Sequence, residues 1–389
     1  MGHATRPQLH LTGAEARRLT SGRVSLWRGM RVLSGLPAGA AIAAVEKDGQ
    51  TVAVVPVDAV GPTVVAAVVD GVDPVRDRPG AHDLLVVGDV MLTRGVRDPA
   101  AALAPMTPVL RRADLTVGNL ESTLSTRGEP TQGGDSFGAS PALLGPLRRA
   151  GFDAVSLANN HAGDYGERAL LDTVGTLARG RIVPFGAGND IASASRPAIL
   201  ERGGVQFGFV GFNAIGETPR AGAASPGALS VRMPPRTGPL VQADLDHVLR
   251  VVRRTARRAD VVVALPHWGT QYTHVAEPIQ RRVGRALVAA GADLVVGGHP
   301  HWVQGVDAVG RVPLLHSLGN FVFDMDFMEQ TMEGVTLEAT FWGAQLKAVR
   351  LLPYLMDPTT FAPRRVGGAT ARAILDRVWS TSTGPYAAR

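Results

Sequence analysis

From residue 82 onward, short apolar runs alternate with longer stretches in which apolar residues recur at helical spacing. The short runs predict buried strands, and the longer stretches predict amphipathic helices. Strands that alternate with helices favour an α/β fold with parallel strands. The predicted strands cover 84–88, 115–118, 154–158, 205–212, 261–265 and 294–297, and the predicted helices cover 99–112, 141–150, 167–178, 243–258 and 278–290.

Three regions depart from this alternation. Strand-like sequence dominates 313–323 and 334–353, which predicts a second, more mixed sheet late in the chain. The segment 214–239 contains five prolines and is predicted to be a long loop. Pro105 and Pro108 weaken the helix predicted at 99–112, because proline removes a backbone donor.

Residues 1–80 form a separate pattern. A short helix is predicted at 14–20 with Thr12 as its N-cap, followed by apolar segments near 40–46, 51–56 and 63–69. The stretch from Asp73 to Gly80 is rich in proline and charge and predicts a linker. The expected organisation is a small N-terminal α+β appendage (1–80), a main domain (81–355) and a C-terminal helical extension and tail (356–389).

Composition excludes several kinds of site. The chain has 389 residues, of which 45% are hydrophobic and 19% are charged, as is typical of a soluble globular protein. It contains no cysteine, which excludes disulfides, thiolate metal sites and a cysteine nucleophile. No stretch is apolar for long enough to predict a transmembrane segment, and the N-terminus shows no signal peptide. On that basis the expected location is the cytoplasm.

The formal net charge is +6, and arginines are concentrated between Arg250 and Arg258. On a helix these arginines fall largely on one side, which favours a solvated helix face. No aromatic or groove-reading pattern accompanies them, so a nucleic-acid partner is not expected. A basic surface is also compatible with a polyanionic substrate.

The chemistry concentrates where predicted strands end. Open α/β sheets build their sites at the carboxyl ends of strands, and polar residues follow five of the predicted strands. Oxygen and imidazole ligands of this mixture suit zinc, manganese or iron, with positions left for water and substrate. The residues in question are Asp89, Asn119 with Glu121, Asn159 with Asn160 and His161, His267, and His299 with His301.

His299 and His301 are the most informative pair. Histidines at i and i+2 on extended backbone point the same way, so both imidazoles are expected to reach one metal ion. Taken alone, each strand-end residue also has a structural interpretation, as a cap, a surface carboxylate, a turn amide or a buried hydrogen-bonded histidine. Asn159 is assigned the turn role and Asn160 that of a ligand, and His274 and His316 are assigned structural roles.

A family resemblance rests on six fragments that occur in order, namely GDVMLTRG, DLTVGNLE, GFDAVSLANNHAGDYG, ALPHWG, GADLVVGGHPH and LHSLGNFVF. Over residues 82–355 the chain resembles the CapA family of the calcineurin-like metallophosphoesterase superfamily. The resemblance implies a four-layer α/β/β/α sandwich, with two sheets between helices. The N-terminal piece is faintly similar to one lobe of a solute-binding protein, through LTGAEARRLTSGRVSLW and VVPVDAVGPTVVAAVVDGVDPVRD.

The resemblance also implies roles for particular residues. Metal-ligand positions fall on Asp89, Glu121, Asn160, His267, His299 and His301, for one or two divalent ions (manganese, zinc or iron). His161 falls on the histidine that assists the leaving group, and Arg94 is placed to contact an anionic group.

The chain departs from the superfamily pattern at three points. The superfamily begins with Asp-x-His, whereas Asp89 is followed by Val90 and Met91. Glu121 stands where the superfamily has a bridging aspartate, and Gln271 stands where CapA-like chains often have a glutamate. One metal position therefore lacks a histidine, which leaves open whether two-metal chemistry operates.

The function implied by the resemblance is biosynthesis, export or anchoring of a cell-envelope polyamino acid, through metal-dependent hydrolase or transferase chemistry. Two alternatives remain, a non-catalytic accessory protein of the same pathway and a metal-dependent phosphodiesterase. The expected partners are an anionic or polyamino-acid envelope polymer and other polymer-synthesis proteins. By the same resemblance, a location at the cell envelope stands beside the cytoplasmic expectation.

Overall fold

The computed structural model describes residues 1–388. Its N-terminal part contains short strands and two helices. The predicted N-cap is confirmed, because the Thr12 hydroxyl accepts from the Glu15 N–H while the Glu15 carboxylate accepts from the Thr12 N–H. The elements are β1 (Gly2–His3), β2 (His10–Leu11), α1 (Gly13–Thr20), β3 (Leu26–Trp27), β4 (Met30–Leu33), α2 (Ala38–Lys47), β5 (Thr51–Ala53), β6 (Val64–Val65) and β7 (Val68–Val69).

The N-terminal part packs directly on the rest of the chain. Its buried cluster around Val45 includes Trp342 and Ala348 of the main body. The segment predicted to be a linker is partly buried, since Val75 is 1% exposed and its carbonyl accepts from the indole N–H of Trp342. The predicted linker is therefore a packed connection.

The next part of the chain builds most of a first large sheet. The helix predicted at 99–112 is divided into two short helices around Pro105, and Pro108 lies in the first turn of the second. The elements are β8 (Ala81–Val90), α3 (Pro99–Leu103), α4 (Thr107–Leu110), β9 (Leu115–Leu120), β10 (Thr123–Leu124), β11 (Gly138–Ala139), α5 (Leu144–Ala150), β12 (Ala154–Ser156), α6 (Gly166–Arg179) and β13 (Val183–Phe185).

The following part builds a second sheet. The proline-rich segment 214–239 is a loop, as predicted, apart from one two-residue strand. The elements are β14 (Ala187–Gly188), α7 (Ile191–Ala194), β15 (Ala198–Arg202), β16 (Val205–Asn213), β17 (Gly227–Ala228), α8 (Gln242–Thr255), β18 (Val261–His267), α9 (Pro278–Ala289), β19 (Leu294–Val296), β20 (Val306–Val309) and β21 (Val312–Leu315).

The last elements return to the first sheet. They are β22 (Asn320–Val322), β23 (Glu333–Trp342), β24 (Gln345–Met356), β25 (Pro363–Arg365) and α10 (Gly368–Ser380). The helix predicted within 356–389 is α10, and the last residue of that range lies outside the described residues. No helix within residues 1–388 combines the length and the apolar character needed to cross a membrane.

The prediction that the late strands form a second sheet is correct for β21 and wrong for β22, β23 and β24, which belong to the first sheet. The first sheet has the order β13-β12-β9-β8-β23-β24-β25, with β22 also paired to β8, and the second has the order β15-β16-β18-β19-β21-β20. The second sheet therefore begins near residue 198, and β23 pairs antiparallel with β8 through Leu337 and Val86. Strand-like sequence showed that these segments are strands, but local pattern does not specify their partners.

The fold is mixed α/β, as predicted. Val117 and Leu337 of the first sheet share one buried cluster with Val263 and Val296 of the second. The opposite face of the first sheet packs against α3, α5 and α6, and that of the second against α8 and α9. Parallel pairing brings the carboxyl ends of β8, β9 and β12 together, and likewise those of β18 and β19.

A single ion-pair cluster joins several parts of the fold. Glu338 on β23 is 4% exposed in its side chain and accepts from Arg76, Arg112 and Arg350, at 2.6, 3.2 and 2.6 Å. A carboxylate this deeply buried needs such partners, because an isolated charge in the interior is costly. Arg76 lies in the connection from the N-terminal part, so the cluster attaches that part to the first sheet.

Candidate metal site

The strand-end residues predicted from the sequence meet where the carboxyl ends of the two sheets adjoin. Asp89 lies near the end of β8, Glu121 follows β9, and His267 is the last residue of β18. The remaining predicted ligands lie in the loops after β12 and β19, and all six are less than a tenth exposed. The structure therefore brings the predicted ligand set together.

Asp89, Glu121 and His267 form the centre of the group. Ligand atoms of these three residues all lie within 4.8 Å of one another, a spacing that could hold a metal ion. Burial, and after it the neighbouring Asp89 charge, raises the pKa of Glu121 well above its ordinary value. Two buried carboxylates at this distance repel each other, and a bound cation would relieve that repulsion.

Several buried polar atoms around this centre lack partners. Three of them form no hydrogen bond within residues 1–388, namely Glu121 Oε2 and both ring nitrogens of His299. Burial lowers the pKa of His299 well below its usual value, and the other histidines lower it further, so its imidazole is neutral at pH 7. Because buried polar groups are normally paired, these atoms fit the ligand shell of a cation.

The predicted backbone geometry of the histidine pair is wrong. His299 and His301 have φ values of 97° and 59°, so they lie in a loop of positive φ and not on extended backbone. Their rings are nevertheless close, with centroids 5.7 Å apart. The His299 N–H donates to Asp89 Oδ2 at 3.0 Å, and His301 Nδ1 lies 3.8 Å from the same oxygen. The strained loop thus aims both rings at the site.

His267 and His301 each have an amide oxygen as a neighbour. Asn160 Oδ1 lies 2.8 Å from His267 Nε2, and Asn320 Oδ1 lies 2.8 Å from His301 Nδ1. Burial lowers the pKa of both histidines, most strongly that of His267. Neutral imidazoles with one nitrogen oriented by an oxygen are typical of metal-binding histidines.

Asn119 is a site residue whose role the sequence did not reveal. Its Nδ2 donates to Asp89 Oδ1 at 2.8 Å and to Glu121 Oε1 at 3.0 Å, and lies 3.2 Å from His267 Nδ1. One amide therefore links the three central residues. Its placement after β9 was visible in the sequence, but spacing alone does not distinguish a residue that binds a metal from one that orients the ligands.

Asn159 fixes the orientation of the Asn119 amide. Asn159 Nδ2 donates to the Leu120 carbonyl at 2.8 Å, and its Oδ1 accepts from the His161 N–H at 3.0 Å. Because a backbone carbonyl only accepts and a backbone N–H only donates, the positions of nitrogen and oxygen in the Asn159 amide are unambiguous. The same nitrogen donates to Asn119 Oδ1 at 2.9 Å, so Asn119 must direct its NH2 group toward the acids. Asn159 has the backbone-pairing role assigned to it from the sequence.

His161 is oriented by a buried carboxylate. Its Nδ1 lies 2.9 Å from Asp164 Oδ2, and its ring stacks on Phe137 with a centroid distance of 3.8 Å. The other nitrogen, Nε2, lies 3.9 Å from Glu121 Oε2. Asp164 was not predicted as a site residue, although its spacing of three residues from His161 was a usable signal. This arrangement suits a histidine that transfers a proton at Nε2.

Arg94 lies at the rim and is already paired. Its guanidinium binds Asp324, with Nε at 3.1 Å from Oδ2, and lies 4.4 Å from the centroid of the Phe137 ring. Phe137 thus contacts both Arg94 and His161. An anionic group that reached Arg94 would share it with Asp324.

His274 and His316 lie outside the central group and are hydrogen-bonded elsewhere. His274 Nδ1 is 2.7 Å from the Val303 carbonyl, and His316 Nε2 is 2.9 Å from Asp307 Oδ2. Asp307 also contacts Arg281 and accepts from the Thr383 hydroxyl at 2.6 Å. These contacts agree with the structural roles assigned to both histidines.

Comparison with known proteins identifies the family. Residues 83–325, more than half of the chain, match the model described as "Bacterial capsule synthesis protein PGA_cap". The chain is 29% identical over 248 residues to the PGA biosynthesis protein CapA of Bacillus subtilis, covering 61% of this chain and 62% of that protein. It is 30% identical over 265 residues to the capsule biosynthesis protein CapA of Bacillus anthracis, covering 65% and 62%.

A third relative is the probable polyglutamine synthesis accessory protein Rv0574c of Mycobacterium tuberculosis. It is 29% identical over 220 residues, covering 55% of this chain and 56% of that protein. The matches thus span a little under two thirds of the length of the two CapA relatives. The match to the family model, over the stretch that carries the strand-end residues, shows that the chain belongs to the CapA family of bacterial capsule synthesis proteins.

Proposed function

We propose that this protein acts in the biosynthesis, export or anchoring of a cell-envelope polyamino acid of the poly-γ-glutamate or polyglutamine type, as a metal-dependent hydrolase or transferase. The observation that carries the proposal is the set of partnerless buried atoms, Glu121 Oε2 and both ring nitrogens of His299, beside the cluster of Asp89, Glu121 and His267. The names of the relatives support the polymer class.

The proposal includes a finer description of the fold. Two sheets that share a core, each with helices on its other face, support a four-layer α/β/β/α sandwich of the metallophosphoesterase type. In this description residues 81–355 form the catalytic domain, 1–80 an appendage and 356–389 an extension. The proposed partners are the polymer itself and other polymer-synthesis proteins, and the proposed location of the protein is the cell envelope.

One or two divalent ions, of manganese, zinc or iron, would be held by six residues. The donors are oxygen and neutral imidazole groups, which suits these metals. Such an ion supplies Lewis acidity and activates water near neutral pH. The proposed ligands are Asp89, Glu121, Asn160, His267, His299 and His301.

The chain's own residues supply proton transfer and orientation. His161 presents Nε2 to the reacting groups, because Asp164 accepts from its Nδ1–H at 2.9 Å and fixes the ring; Nε2 takes up a proton, and the imidazolium that Asp164 stabilises then donates it to the leaving group. Phe137 stacks on the same ring and excludes water from one face. Arg94, at the rim, contacts a carboxylate of the substrate while it remains paired with Asp324.

A second candidate function is that of a non-catalytic accessory protein in the same pathway. Two observations favour it. Met91 stands where the superfamily has a histidine, and the Asn119 amide donates hydrogen bonds to both Asp89 and Glu121. In a strain that lacks the protein, a His299→Ala/His301→Ala double variant would then restore surface polymer, whereas the catalytic proposal requires that it fail.

The direct test compares His299→Ala with His274→Ala. Both variants remove one partly or fully buried histidine, but only His299 lies in the central group. We expect the purified wild type and His274→Ala to bind about equal amounts of manganese or zinc, measured by elemental analysis, and to cleave γ-linked polyglutamate. His299→Ala should lose both properties. Metal content and cleavage that persist in His299→Ala would refute the proposal.

A further inference from the structure

A basic hollow lies on the outer side of the second sheet, away from the candidate metal site. It has a volume of about 580 Å³ and is formed by the end of α8 and the segment after α7. Four arginines line it, two of which (Arg257 and Arg258) lie beyond the end of α8. The others are Arg254, in the last turn of α8, and Arg196, in the other segment.

The positive charge in this hollow is offset only weakly, by a longer-range interaction of Arg196 with Asp190. Within residues 1–388, none of the four arginines forms an ion pair, and no acidic side chain lines the hollow. The first half of the same helix is different, since Asp244 binds Arg220 at 2.7 Å and Arg232 at 2.8 Å. Within the described residues, the protein therefore pairs arginines with an acid at one end of α8 and leaves the four arginines at the other end without an ion pair.

Helix stabilisation explains only part of this cluster. A basic residue in the last turn interacts favourably with the helix dipole, and Arg254 has that position. Arg257 and Arg258 directly follow the C-cap residue, Ala256, and also lie near the negative end of the dipole, but the dipole does not explain why they meet Arg196, which follows α7. Their convergence on one hollow requires a different explanation.

The floor of the hollow is polar and ordered. Ser195 is 8% exposed, and its Oγ lies 2.9 Å from His247 Nε2. Apart from Thr255, whose hydroxyl donates to the Val251 carbonyl, the other lining residues are apolar, and apart from the His247 imidazole no aromatic ring lines the hollow. Single-stranded nucleic acids are normally held by aromatic stacking beside a basic groove, which this hollow lacks. Its chemistry instead suits a flexible chain that carries carboxylates.

The hollow and the candidate metal site lie at opposite ends of one strand. The chain passes from α8 through the arginines to the first residue of β18, Val261, and β18 ends at His267 in the site. A strand of seven residues spans roughly 20 Å. A polymer of several residues can therefore bind in the hollow and at the metal site at the same time, whereas a single free amino acid cannot reach both.

We propose that this hollow binds carboxylate groups of an anionic polyamino acid, as an anchoring site for the polymer whose other segment reaches the metal site. Guanidinium groups bind carboxylates through paired hydrogen bonds, and several weak contacts add along one chain. The inference rests on the proposed function, since it names the polymer that this function assigns. It adds a second site that recognises the negative charge of the polymer.

The test measures fluorescence anisotropy of a labelled γ-linked glutamate oligomer at low salt. Arg254→Gln/Arg257→Gln removes two charges from the hollow, and Arg250→Gln/Arg253→Gln removes two charges from the same helix outside it. We expect the first variant to weaken binding by about five- to thirtyfold and the second by less than about twofold. Equal effects of the two variants, or no binding by the wild type, would overturn the proposal.

Two further arms identify the ligand chemistry. A γ-linked glutamine oligomer of the same length lacks the charge and should bind at least about tenfold more weakly. A single-stranded DNA of matched charge should not compete effectively, and tighter binding of the DNA would overturn the assignment to a polyamino acid. In His299→Ala, the binding of the glutamate oligomer that remains should still depend on Arg254 and Arg257. If His299→Ala still binds metal and cleaves the polymer, while binding of the oligomer still depends on Arg254 and Arg257, the proposed function fails and the anchoring site stands.

Discussion

Replacing Asn119 by aspartate should strengthen metal binding at the candidate site. The reason is a chain of hydrogen bonds that begins at the backbone. Asn159 is fixed by Leu120 and His161, and it forces Asn119 to present its NH2 group to His267 Nδ1. His267 Nε2 lies 2.8 Å from Asn160 Oδ1 and 3.5 Å from Glu121 Oε1, so its proton lies on Nε2 and the unprotonated Nδ1 faces the Asn119 NH2 group.

This tautomer opposes coordination through Nε2. To bind an ion there, His267 must carry its proton on Nδ1, where it would face the Asn119 donor. An aspartate at position 119 accepts that proton and produces the carboxylate–histidine–metal arrangement. Outer partners of this kind change metal affinity by about 10- to 100-fold, and we expect a gain of that size in Asn119→Asp.

The same substitution should weaken the metal-free protein. It removes the hydrogen bonds to Asp89 and Glu121, at 2.8 and 3.0 Å, and adds a third carboxylate in their place. Hydrogen bonds to charged groups contribute about 1.5–3 kcal/mol each. The free energy of unfolding in the presence of a chelator should therefore fall by about 3 kcal/mol or more.

Two measurements check this reasoning, namely calorimetric titration with Mn²⁺ at pH 7 and urea unfolding with and without a chelator. Asn119→Leu is the matched control, because it removes the donor without supplying an acceptor. We expect Asn119→Leu to bind Mn²⁺ more tightly than the wild type but less tightly than Asn119→Asp. Without metal, Asn119→Leu should also be less stable than the wild type. An Asn119→Asp variant that binds Mn²⁺ no more tightly than Asn119→Leu would refute the tautomer argument.

Three further predictions follow from other contacts. Asp164→Asn should slow polymer cleavage about a hundredfold while metal content is unchanged, because His161 loses the carboxylate that orients it; an unchanged rate would remove His161 as the proton donor. Burial alone would raise the pKa of Asp307, but hydrogen bonds from His316 and Thr383 and the nearby positive charge of Arg281 hold it at about 2. That carboxyl therefore stabilises the fold above pH 4 and loses its contribution as the pH falls toward 2. Asp307→Asn should lower the free energy of unfolding by about 2 kcal/mol at pH 7 and by roughly half of that at pH 3. Denaturant unfolding measures both values, with the exposed Asp326→Asn as control. Glu338→Gln should destabilise the protein by about 3 kcal/mol, because three arginines lose their shared carboxylate, and thermal unfolding that matches the wild type would contradict this.

Much of the fold was accessible from local sequence. Helices such as α6 and α8 have strong periodicity, and their observed bounds differ from the predicted ones by no more than about three residues. The pairing of the strands could not be predicted from local sequence. β23 pairs with β8, which lies far away in the sequence, and the apolar pattern of β23 would suit either sheet. Register and partner depend on the complete core, which a local pattern does not describe.

The candidate site shows the same division. Residue type and strand-end position were enough to select the ligand set that the structure assembles, including Glu121 and His267. They were not enough to predict the positive φ of His299 and His301, which follows from how the loop after β19 meets Asp89. The role of Asn119 and the participation of Asp164 were missed for a related reason, because the importance of both residues lies in contacts with other side chains and not in their own capacity to bind an ion.

The crossing of the chain between the two sheets has a consequence for how the protein is made. As synthesis proceeds from the N-terminus, β8 meets β9 early, but its other edge waits for β23, with Val86 pairing to Leu337. An unpaired strand edge next to buried acids is prone to aggregation, and pairing between distant segments is slow. Asp89 and Glu121 likewise precede His267 and His299 in the chain, with strands β15 and β16 of the second sheet between them. The ribosome must therefore finish nearly the entire domain before either the sheet edge or the metal site can close.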